Sequence, residues 1–104
     1  MPEIAVVKAE YFRTLAHPVR IRVLELLSVA ERSVGDLQTE LGLEQSHLSH
    51  QLGVLRRAGV VVARREGSGV IYALDDPRVA DLLDVARRIL LDAATRTREQ
   101  LGAS

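Results

Sequence analysis

The sequence predicts a mainly α-helical chain with one short β-hairpin, an α+β arrangement of five helices and two strands that assembles as a dimer. Three observations carry this expectation. Apolar residues recur at three- and four-residue spacing in segment after segment. Only Leu43 and Glu44 separate Gly42 from the next periodic segment, the length of a tight turn between two helices. β-Branched residues flank the tetrapeptide EGSG, as in two strands joined by a glycine turn.

Composition sets the outer limits. With 104 residues, 47% of them hydrophobic, and neither cysteine nor tryptophan, the chain suits one compact domain spanning 1–104, with a small core and no disulfide or thiolate–metal framework. A domain this small buries a limited share of its surface, so a second copy is a natural source of further burial. No apolar stretch is long enough to span a membrane, and the opening MPEIAVVKAEYFRTL lacks the basic-then-apolar order of a signal peptide, so a cytoplasmic protein is expected. The formal net charge is zero, but it is unevenly spread: Glu44 to Tyr72 holds four basic and two acidic residues, while each flank holds five basic and six acidic. The middle is where a polyanion would be met.

In order along the chain, Val7, Tyr11 and Leu15 fall four residues apart in a first amphipathic helix from Ile4 to Leu15. His17 precedes Pro18, a residue tolerated at the first helical position, so a second helix starts there with Val19, Val23, Leu26 and Leu27 inward and Arg20, Arg22 and Glu25 toward solvent. Ser33 introduces VGDLQTELG, a short third helix stopped by Gly42. In the fourth, within QSHLSHQLGVLRRAG, the buried face is Leu48, Leu52 and Leu55. The opposite face then holds Ser46, His50, Gly53 and Arg57, with Gln45, His47 and Ser49 near its start. Short or flat hydrogen-bonding side chains of this kind suit base edges in a major groove, and the glycine leaves room for a phosphate backbone.

The run VVVARREGSGVIYAL reads as the hairpin, with Arg64 and Arg65 before the turn and Tyr72 after it. Asp75 and Asp76 precede Pro77, which starts a last helix reaching about Leu101. Val79, Leu82, Leu83, Ala86, Ile89, Leu90 and Ala93 give that helix more apolar surface than so small a domain can cover. The same helix of a two-fold-related copy is the expected cover, with Tyr11 and Leu15 of the first helix beside it.

The order helix, helix, helix-turn-helix, hairpin, helix is a winged helix-turn-helix. From Leu15 to Leu74 the chain resembles the ArsR/SmtB family of bacterial repressors: the A-H-P-x-R opening, the S-H-x-L core of the fourth helix, the L-R-x-A-G exit and the R-R-E-G wing occur in order at family spacing. The resemblance implies a homodimer joined by its first and last helices, a double-stranded DNA operator as partner, and a metal or other signal that alters operator affinity. Carried over by position, Gln45, Ser46, His47, Ser49 and His50 meet bases and nearby phosphates, and Arg64, Arg65 and Ser68 lie on the wing. Arg56 and Arg57 are expected to add phosphate contacts. Glu44 departs from the family, whose members often place serine or threonine at this helix cap.

The sensing residues depart further. Where metal-responsive relatives carry C-x-C-D-L, this chain has Ser33, Gly35, Asp36 and Leu37, and the paired-helix site used by another subgroup becomes Asp76, Arg78, Ile89 and Asp92. Nickel or zinc would therefore need a non-standard site drawing on His17, Asp76 or Asp92. The alternatives are a small molecule at the dimer interface or a partner protein. Catalysis is not expected: there is no cysteine nucleophile, no G-x-S-x-G elbow, no phosphate-binding glycine loop and no His-Glu-x-x-His.

Overall fold

The computed structural model describes residues 3–102. Helix α1 spans Ile4–Leu15 and α2 spans Pro18–Val29, the latter opened by His17, whose Nδ1 accepts a hydrogen bond from the Val19 amide at 3.1 Å. Helix α3 (Val34–Leu41) is capped by Ser33, whose hydroxyl accepts from the Asp36 amide at 3.0 Å. It ends at Gly42, which takes the left-handed conformation at φ 63° that a glycine adopts without steric cost. Leu43 and Glu44 complete the turn, and α4 runs from Gln45 to Arg57.

Strands β2 (Val61–Glu66) and β3 (Gly69–Leu74) pair antiparallel from Val61–Leu74 to Glu66–Gly69. Gly67 and Ser68 form the two-residue loop. Among the described residues only glycines have positive φ, and Gly67 is one of them at 60°, the pattern of a II′ hairpin turn. The expected two-stranded wing gains a third strand. β1, the dipeptide Arg32–Ser33, pairs with the outer edge of β3 (Arg32 with Tyr72, Ser33 with Ile71), giving the order β1-β3-β2. Two residues are too few for alternation to show in a sequence. Helix α5 then runs Arg78–Gly102, with Asp76 Oδ1 accepting from the Arg78 amide at 2.9 Å.

α2 lies at the centre, against α3, α4, α5 and β3. Being covered on several sides, it buries a wider arc than one stripe: Val23, Leu24 and Leu27 are core residues, Leu24 at 0% exposure, while Val19 and Leu26 are only partly buried. The remaining core comes from Leu37 and Leu41 of α3, Leu48, Leu52 and Leu55 of α4, and Leu15, Val60, Val61 and Val79. Arg20, expected in solvent, is instead half-buried and hydrogen-bonded across the fold. None of the helices is long and apolar enough to cross a membrane among the described residues.

Candidate nucleic-acid interface

Packing leaves α4 with two unlike sides. Leu48, Gln51, Leu52 and Leu55 are buried, which turns Gln45, Ser46, His47, Ser49, His50, Arg56 and Arg57 outward, all of them exposed. The structure thus places on one element every residue of this segment that the sequence marks for DNA. Glu44 occupies the cap position but makes no side-chain hydrogen bond there, so the first-turn N–H groups of α4 have no side-chain acceptor. The space above Gly53 is not open: a Cβ at that position would lie 3.0 Å from Nη1 of Arg57, whose guanidinium folds back over the helix. The room expected for a phosphate backbone is filled by this cation.

α4 packs against β2, so helix and wing adjoin. The wing's two arginines differ. Arg64 Nη2 donates to Glu31 Oε1 at 2.8 Å and to Glu66 Oε2 at 2.9 Å, and these bonds push its already high pKa further up while lowering that of Glu31. Arg65 is exposed and its side chain makes no hydrogen bond or ion pair among the described residues. Ser68 sits exposed in the wing turn, and Tyr72 packs partly buried against the core. Glu31 carried no signal in the sequence, since it lies 33 residues from Arg64. Gln51 did carry one: it follows Leu48 by three residues and precedes Leu52, on the inward arc.

The apolar surface expected at an interface divides in two. Leu15 is buried within the chain itself at 4% exposure and has almost nothing left to offer a partner, and Tyr11, Leu82 and Leu83 are partly used in the same core. Ala86 is exposed, as are Ile89 at 60% and Leu90 at 68%, and a groove of about 480 Å³ lined by Ile21, Leu83, Ala86, Leu90 and Leu91 runs beside them. Tyr11 has its pKa raised by burial and, secondarily, by the Asp76 carboxylate.

The metal candidates do not converge. His17 spends Nδ1 on its capping bond, Asp76 is bound through both oxygens to Arg78, and Asp92 stands exposed on α5. Among the described residues no three or more His, Asp or Glu side chains lie where they could share an ion.

Residues 17–62 match the arsR family of bacterial regulatory proteins. The chain is 62% identical over 84 residues to the uncharacterized HTH-type transcriptional regulator Rv0081 of Mycobacterium tuberculosis H37Rv, covering 80% of this chain and 74% of that one. The crystal structure of M. tuberculosis Rv0081 superposes with a TM-score of 0.84 at 53% identity, over 93% of this chain and 98% of the other. The biofilm growth-associated repressor of Agrobacterium fabrum is 44% identical over 72 residues, 69% of this chain and 62% of that protein. The homodimeric winged helix-turn-helix domain of Mb0332 from Mycobacterium bovis, solved by NMR, gives a TM-score of 0.79 at 28% identity, over 89% and 88% of the two chains. With its helix-turn-helix, its wing and these relatives agreeing, the chain belongs to the arsR family of bacterial regulatory proteins, which are DNA-binding transcriptional regulators and not enzymes.

Proposed function

We propose that this chain is a cytoplasmic repressor that binds a pseudo-palindromic operator as a homodimer. The observation that carries the reading is the outward row Gln45, Ser46, Ser49 and His50 on a helix whose other side is locked into the core, flanked by the exposed Arg56, Arg57 and Arg65. In this reading Ser46, Ser49 and His50 meet base edges and the arginines meet phosphates. The exposed apolar residues of α1 and α5 support a dimer, as does the homodimeric state of Mb0332. Repression is supported by the Agrobacterium relative. For the signal, an organic effector or a partner protein stands ahead of nickel or zinc, because His17 and Asp76 are already engaged.

Two measurements test this. A duplex selected by the protein from a randomised pool should bind two protomers, with log affinity falling linearly against log salt at about 0.9 per phosphate neutralised. Salt-insensitive binding, or no selected sequence, would refute DNA recognition. Calorimetric titration with Ni(II) and Zn(II) should show no tight site; about one ion per protomer together with a changed DNA affinity would reverse the order of signals.

A further inference from the structure

A polar contact that joins three helices lies behind α4. Arg20, in the first turn of α2, donates from Nε to Gln51 Oε1 at 2.8 Å and from Nη1 to the Thr14 carbonyl at 3.0 Å. Gln51 is 5% exposed, the only buried polar side chain among the described residues. One guanidinium therefore ties together the last turn of α1, the start of α2 and the inward side of α4. Its planar fork fixes the directions of both bonds at once, which a flexible ammonium does not do. Apolar packing by Leu48, Leu52 and Leu55 holds α4 in place but is non-directional, so it permits a helix to roll or slide by small amounts. The Arg20 fork removes that freedom.

α1, like α5, carries an exposed apolar flank, with Ile4, Val6, Val7 and Phe12 all exposed. In the homodimer proposed above, on which this inference rests, α1 belongs to the rigid joint between protomers. We propose that Arg20 and Gln51 are positioning residues for DNA recognition: they couple α4 to α1 and so set the separation and tilt of the two recognition helices across the dimer. Neither touches DNA. Their effect is on which half-site spacing is accepted, and phosphate contact is left to the exposed arginines.

The test uses the full-length protein, the duplex it selects, versions of that duplex with one base pair added or removed between the half-sites, and an unrelated duplex. Gln51→Leu removes the acceptor and keeps an apolar volume; Gln51→Glu keeps an acceptor for the guanidinium. Gln51→Leu should fold as a dimer and keep the wild-type salt slope and affinity for the unrelated duplex. It should lose about tenfold in preference for the selected duplex, the scale of one hydrogen bond to a charged group, and should discriminate less between spacings. Gln51→Glu should restore both. Arg20→Lys, which keeps the charge without the fork, should relax spacing discrimination in the same way and stands in if Gln51→Leu does not fold. Unchanged spacing discrimination in a folded Gln51→Leu or Arg20→Lys dimer would overturn the proposal, as would a parallel loss of affinity for every duplex. A wild-type protein that shows no preference between duplexes would remove the operator reading itself, and this inference with it.

Discussion

Arg64 and Arg65 are neighbours in sequence and nothing in their pattern separates them, yet among the described residues two carboxylates hold the first and none holds the second. Arg65→Ala should therefore lower the salt dependence of DNA binding by about one unit of slope, and Arg64→Ala by less, because Arg64 must leave Glu31 and Glu66 before it meets a phosphate. Glu31→Gln should tighten binding, and only while Arg64 is present. The pairs are exposed and screened by solvent, so at most a few-fold change measured by fluorescence anisotropy is the expected size. Asp76 offers a pH handle. Hydrogen bonds from the Arg78 side chain and amide hold its pKa at about 2, below the ordinary 3.8. A lowered folded-state value means the stabilisation is complete above about pH 4 and is lost as pH falls towards 2. Asp76→Asn should melt below wild type at pH 6, and the gap should close on acidification. Residues whose role depends on the next few positions, such as the capping His17 and Ser33 or the turn-forming Gly67, were legible in the sequence. Arg20 was not, because its partner is 31 residues away and its helical position looks solvent-facing.

The elements themselves follow closely from local rules. α1 runs, α2 starts and α3 stops where apolar spacing, Pro18 and Gly42 place them, since these limits are set by backbone chemistry within a turn or two. β1 escaped notice because it exists only by pairing with β3, a tertiary condition. α4 carries one element-scale tension: a glycine in mid-helix costs up to about 1 kcal/mol against alanine, and here it makes space for the Arg57 guanidinium. Gly53→Ala should raise the thermal midpoint, because the flexible end of Arg57 can move aside. DNA affinity should fall a few-fold as that cation is displaced. A lower midpoint would mean that Arg57 is held more firmly over the helix than its flexible side chain suggests.

At the scale of the molecule, α5 is the least self-sufficient part, with only Val79 fully buried along its 25 residues. The sequence displayed this surplus of apolar surface plainly. It did not show that Leu15 belongs to the chain's own core, because periodicity reports which face is apolar and not what covers it. Leu90→Asp should leave helix content unchanged, since the side chain is 68% exposed in one chain. Losing about 1.5–3 kcal/mol of burial on each of two symmetry-related copies should weaken dimerisation by at least about a hundredfold in sedimentation measurements, and operator binding with it. A dimer that survives would place the joint elsewhere. Ser33 has a consequence of its own at this scale. Its backbone is paired with Ile71 in the sheet while its hydroxyl caps α3. Detaching the outer edge of β3 therefore uncaps α3, so the amides of both should exchange with deuterium in a single opening event, and a DNA backbone that clamps the wing would slow exchange in a helix it does not touch.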